Sequence, residues 1–151
     1  MLKSLGTTTN EHLDCFYCCK NQELERIMIE VKKLNVSTLY LNKDQSHKGR
    51  CILAYDKHAT EIFQLDDQEL QFFMKDVSNA AQTLHEVFQP DKINYAIYGD
   101  LVSHLHVHLV PKYAGSLEWG EAFVNSPLNK KLLDQASYQE ILEIIQKNLH
   151  H

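Results

Sequence analysis

No stretch of this chain is apolar for long enough to span a bilayer. Its opening residues, Met1 to His12, lack the apolar central region of a signal peptide. A soluble, cytoplasmic protein with no membrane partner is the expectation. Basic residues are in deficit: 15 Lys and Arg against 20 Asp and Glu leave a formal net charge of −5. Affinity for nucleic-acid polymers depends on dense Lys and Arg, so this balance argues against a general polyanion binder. It leaves room for a small nucleotide in a locally basic pocket. Proline and glycine are sparse and form no linker, and the chain has no internal repeat or low-complexity segment. A single domain over residues 1–151 follows, with residues 1–13 as a flexible N-terminal arm. His150 and His151 are left out of the functional reading.

Cysteine is scarce too: Cys15, Cys18, Cys19 and Cys51. In a cytoplasmic chain these favour thiols or metal ligands over disulfides. The pair Cys15-x-x-Cys18 offers two thiolates from one tight turn, half of a tetrahedral zinc site.

Leu24, Ile27, Met28, Val31 and Leu34 fall at helical spacing and predict a helix over residues 21–34. Residues 36–41 and 50–55 read as strands around a polar turn, 42–49. Asp66 is a good N-cap, with Glu69 completing a capping box, for a long helix that Pro90 stops. Residues 93–98 and 104–110 read as two further strands joined by a short Gly-containing connection. A final amphipathic helix is expected over residues 138–149. Helices placed between runs of adjacent strands indicate an α+β domain with a mainly antiparallel sheet.

What stands out is His104-Leu105-His106-Val107-His108-Leu109-Val110. Side chains two apart in a strand project to the same side, so three imidazoles line one face while Leu105, Val107 and Leu109 enter a core. Imidazole titrates near neutrality, serves as nucleophile, acid or base, and is the commonest metal ligand. A turn rich in backbone N–H groups beside this row could hold an anion.

The run from Gly99 through the three histidines to Pro111-Lys112 resembles the signature of the histidine triad (HIT) family. Gly49 to His58 and Cys15-Phe16-Tyr17-Cys18 resemble two further family segments, in the same order along the chain. The resemblance implies a HIT-like fold, a mainly antiparallel sheet of about five strands with two to three helices, commonly as a homodimer with joined sheets. It implies a hydrolase or nucleotidyl transferase acting at the α-phosphate of a nucleoside phosphoramidate or, second, a dinucleoside polyphosphate. His106 would be the nucleophile, forming a nucleotidyl-histidine, and His108 would donate to a phosphate oxygen or the leaving group. In members with the Cys-x-x-Cys segment the resemblance implies a structural Zn2+ on Cys15, Cys18, His58 and His104. Cys19 and His47 are the respective rivals of Cys18 and His58.

Other site residues follow with alternatives open. Asn42 or Asp44 would hydrogen-bond ribose, Tyr40 would pack against the base, and Lys112 would place a charge near the phosphate. Gly99, Asp100 and Leu101 would form the phosphate turn. Many family members carry Gly-Gln-Ser/Thr there, whereas this chain has Gly99-Asp100-Leu101. Leu101 has no hydroxyl, Ser103 is on the wrong face to replace it, and Asp100 could bind a cationic amine leaving group. Two other functions fit the same residues: a non-catalytic nucleotide-binding scaffold, and a metallohydrolase with its metal on all three histidines.

Overall fold

The computed structural model describes residues 14–150; the expected arm over residues 1–13 lies outside them. Two short helices, α1 (Phe16–Cys19) and α2 (Gln22–Ile27), lead into strands β1 (Met28–Lys33), β2 (Ser37–Asn42) and β3 (Cys51–Tyr55). The long helix α3 (Asp67–Phe88) follows, then β4 (Lys92–Ala96), β5 (His106–Lys112) and α4 (Gln135–Asn148). All strand pairs are antiparallel, in the order β1-β2-β3-β5-β4. No helix among the described residues is long and apolar enough to cross a membrane.

Strand alternation divides the buried residues into two sets. Cys51, Leu53, Leu105, Val107 and Leu109 pack with Phe73, Val77, Ala80 and Leu84 of α3 and Ile145 of α4. Each such aliphatic side chain contributes roughly 1.5–3 kcal/mol by leaving water. The opposite face holds a smaller cluster of Tyr17, Leu24, Met28, Tyr40, Ile52 and Ala54. Register pairs Ala54 with His106 and Ile52 with His108, so the histidines lie on this second face.

The helix expected over residues 21–34 is half strand. α2 stops at Ile27, and β1 carries a bulge between Glu30 and Lys32. Met28 and Val31, three apart, lie on opposite faces of β1 by ordinary alternation, and each face is covered by its own cluster. That spacing imitates a helical stripe. The β4–β5 connection is also longer than expected, because β4 ends at Ala96 and β5 begins at His106. Leu105 instead exchanges backbone hydrogen bonds with Tyr55 and Ala59. At α3, Asp66 caps the Glu69 amide (2.8 Å), while the Glu69 carboxylate accepts from Lys57.

Two ties fix the frame around the site. Gly49 has φ +89°, and a Cβ there would lie 2.6 Å from Phe88 Cδ2, so the turn into β3 needs glycine. Segment 113–134 crosses the histidine face without regular structure. Lys131 anchors it through its amide to Asp44 Oδ1 (3.0 Å) and its carbonyl to the Gln45 amide (2.8 Å).

Asp76, fully buried on α3, accepts from the Asn35 amide (3.1 Å), Asn35 Nδ2 (2.7 Å), the Val36 amide (3.0 Å) and Ser37 Oγ (2.6 Å). It locks the β1–β2 turn to the helix layer. Asp76→Ala strands those donors and is expected to cost about 3 kcal/mol or more, measured as a lower urea midpoint with an unchanged slope.

Candidate active site and metal centre

At the end of β3 and the start of β5, His104 uses three atoms. Its Nε2 lies 2.6 Å from the Tyr55 carbonyl, an acceptor, so Nε2 carries the proton and Nδ1 the lone pair. Nδ1 faces Cys15 Sγ at 3.2 Å and Cys18 Sγ at 3.5 Å. The backbone carbonyl of His104 accepts from His106 Nδ1 at 2.5 Å. By the same reasoning, neutral His106 has its proton on Nδ1 and its lone pair on Nε2.

Cys15, Cys18, His58 and His104 bring one ligand atom each within 4.8 Å of one another. His58 Nδ1 sits 3.3 Å from Cys18 Sγ. Burial, then the Cys15 thiol, pushes Cys18 up to about 12; a bound divalent cation reverses that logic by stabilising thiolate. Two sulfurs and two imidazole nitrogens match a closed tetrahedral set, and the Tyr55 carbonyl orients His104 as a second partner orients metal-bound histidine. The residues fit such an ion. Cys19 is exposed, and His47 is buried 3.3 Å from Glu118 Oε1. Neither belongs to the cluster. His106 and His108 stand outside it as well, which separates the row into different environments and removes the geometry a three-histidine metal would need.

A cleft of about 560 Å³ opens beside the remaining two histidines, within the ordinary range for small-molecule sites. Its lining includes His106, His108, Asn42, Asp44 and the turn Gly99–Asp100–Leu101. Burial lowers the pKa of His106, opposed by its bond to the His104 carbonyl. Burial, then His106, then Arg50 lower His108 to about 3. Both ring nitrogens of His108 are buried without a hydrogen-bond partner among the described residues. The cleft is therefore lined by two imidazoles whose burial disfavours the charged form, one bonded through Nδ1 to a backbone carbonyl and the other with no hydrogen bond among the described residues.

Asn42 Oδ1 accepts from the Asp44 amide at 2.9 Å. Burial works against the Asp44 charge, but bonds from Ser46 and Lys131 and the nearby Arg50 hold its carboxyl below the usual range. Leu101 is 93% exposed at the rim, and Ser103 does not line the cleft.

Two expected contacts are placed elsewhere. Lys112 is buried and donates to the carbonyls of Glu118 and Glu121, holding segment 113–134 instead of facing the cleft. Tyr40 is buried behind Tyr17, whose ring packs on it at 5.9 Å and lines the cleft in its stead. Tyr17 also stacks against His104 and His106 at 5.2 and 5.3 Å.

Sequence reasoning missed four contributors. Phe16 and Tyr17 stand between the two cysteines, so the turn that presents the thiols also supplies an aromatic wall. Arg50 and Asn125 also line the cleft. Alternation along β3 could have found Arg50, since it shares a face with Ile52; nothing local marks Asn125.

The sequence profile of the HIT domain matches residues 31–115, and the chain belongs to the HIT family. An uncharacterized HIT-like protein of Mycoplasma genitalium is 35% identical over 103 residues, 63% of this chain and 69% of that protein. A histidine triad protein of Bradyrhizobium japonicum superposes with TM-score 0.78 at 24% identity, over 86% of this chain and 96% of its own. A Zn-bound histidine triad protein of Mycobacterium smegmatis gives TM-score 0.63 at 16% identity, over 90% and 93%. A diadenosine triphosphate hydrolase of Plasmodium falciparum gives 0.58 at 16% identity, over 78% and 74%. These structures share the fold.

The depressed His108 pKa has a thermodynamic consequence. Unfolded, His108 takes a proton near 6.5; folded, it resists down to about 3. Its contribution to stability is complete above 6.5 and disappears as pH falls from there toward 3. Thermal denaturation across that window should show wild type losing more stability than His108→Gln. Equal losses would mean that His108 protonates normally in the folded protein.

Proposed function

We propose that this protein hydrolyses or transfers nucleotides at the α-phosphate of a purine nucleoside phosphoramidate, with His106 as nucleophile. The carrying observation is the 2.5 Å bond from His106 Nδ1 to the His104 carbonyl. It fixes the tautomer that leaves Nε2 unprotonated beside the cleft. Nε2 forms a bond to the α-phosphorus as the P–N bond to the leaving amine breaks; the amine departs with the electron pair and takes a proton from solvent. Water then attacks phosphorus and gives a proton back to solvent, the P–N bond to His106 breaks with its electron pair returning to Nε2, and nucleotide is released with the ring neutral again. Dividing one displacement into two lowers each barrier. The His108 N–H hydrogen-bonds a phosphoryl oxygen, and the turn amides at Gly99–Leu101 add donors where charge builds.

Asn42 and Asp44 face the ribose, and Phe16 and Tyr17 offer apolar surface to the base. Asp100 at the rim supports an amine leaving group. Dinucleoside polyphosphates are the second substrate class, supported by the activity named for the Plasmodium falciparum neighbour. Cys15, Cys18, His58 and His104 would hold a structural Zn2+, which would fasten the Phe16–Tyr17 wall against β5; the Zn-bound Mycobacterium smegmatis neighbour supports that assignment. Edge strand β4 exposes Tyr95 (53%), with Ile97 (49%) just past its end, and a second copy pairing there would form a homodimer with a joined sheet. The protein acts in the cytoplasm.

A fluorogenic adenosine phosphoramidate tests the chemistry. Wild type should release AMP, and His106→Ala should lower turnover by at least about 10³-fold. No turnover by wild type that nonetheless binds AMP would favour the non-catalytic scaffold. Metal analysis tests the centre: one zinc per chain, lost with thermal stability in Cys15→Ala and retained in His106→Ala. The reverse pattern would place the metal on the catalytic row.

A further inference from the structure

Arg50 is 2% exposed, which is unusual for a residue that lines an open cleft. It lies just before β3 on the face of Ile52, and Ile52 pairs with His108. Two residues of strand separate Arg50 from that pair, about 7 Å of rise, well within reach of an arginine side chain. The guanidinium is held on three sides. Its carbon lies 5.3 Å from the centre of the Phe123 ring, and Nη2 donates to Asn125 Oδ1 (2.9 Å) and the Asn125 carbonyl (3.1 Å). Nη1 stands 3.7 Å from Asp44 Oδ2, too far for a hydrogen bond.

Two guanidinium nitrogens are left: Nη1, and Nε, which is buried with no hydrogen-bond partner among the described residues, as is Asp44 Oδ2. A buried guanidinium N–H left without an acceptor is costly, and so positioned an arginine is prepared for an oxyanion that a guanidinium fork suits. The other cations near the cleft do not compete for that place. Lys112 is engaged by the Glu118 and Glu121 carbonyls, Lys43 donates to the Glu25 carbonyl, and Arg26 and Lys130 are exposed at the surface. Leu101 offers no side-chain donor.

We infer that Arg50 is the phosphate-holding cation of the cleft: its open guanidinium donors bind the phosphoryl group of the nucleotide. The inference rests on the reading that a nucleotide occupies this cleft. Asn125 and Phe123 position the guanidinium, so segment 113–134 takes part in phosphate recognition as well as forming a wall. A purely structural Arg50 would serve only to neutralise Asp44 and tether Asn125.

Calorimetric titration of the full chain with AMP and with adenosine separates these roles, because the two ligands differ only in the phosphate. Wild type should hold AMP more tightly than adenosine. Arg50→Met should weaken AMP by about 10- to 100-fold and leave adenosine unchanged, and Arg50→Lys should recover part of the loss. Should Arg50→Met fail to fold, Arg50→Lys decides the matter: weaker AMP with unchanged adenosine supports the inference. An AMP-to-adenosine ratio equal to that of wild type in the folded variants overturns it, and so does wild type that prefers AMP to adenosine not at all. Arg50-dependent AMP binding without phosphoramidate turnover would uphold Arg50 and overturn the hydrolase reading.

Discussion

His104 joins two parts of the molecule that would otherwise be independent. Its ring points Nδ1 at two thiols because the Tyr55 carbonyl occupies Nε2. Its main-chain carbonyl then sets the tautomer of His106. The cysteine–histidine cluster and the His106 ring are thus separated by one residue's own backbone. Any displacement of His104 moves the acceptor that orients the His106 ring. Tyr17 reinforces the connection by packing on both rings from within the cysteine turn.

Around that hub the fold uses one strand for two purposes. Leu105, Val107 and Leu109 fasten β5 into the helix-covered core, so the histidines alternating with them are held by core packing they do not touch. Burial on the other face disfavours the charged forms of His106 and His108. The positive charge of the cleft interior is therefore left to a group that cannot lose its proton at ordinary pH, Arg50. Asp44 and Asn125 bring that charge under control from opposite sides of the cleft, one before β3 and the other in segment 113–134.

Much of this was legible in the chain. The alternation over residues 104–110, the Cys-x-x-Cys spacing and the stripe of α3 each encode geometry locally, and they placed the sheet face, the cysteine turn and the main helix. Failures occurred where distant contacts overrode local pattern. Burial of both faces of β1, Met28 on one and Val31 on the other, gave a strand the spacing of a helix. Lys112 follows the histidine row in sequence, yet loop carbonyls captured its ammonium. Tyr40 belonged to the correct face but was covered by Tyr17, which came from 23 residues earlier in the chain. Asn125 reaches Arg50 across 75 positions, and no periodicity reports such a contact.

The central claim is a division of labour along one strand face: His104 for the metal, His106 for covalent chemistry, His108 for the phosphoryl oxygens. Rapid quenching during turnover of an adenosine phosphoramidate, followed by mass-spectrometric mapping of the peptide that carries all three histidines, addresses it directly. The division predicts a nucleotidyl group on His106 and on neither neighbour. A nucleotidyl group on His104 or His108, or turnover with no histidine adduct at any time, would contradict it.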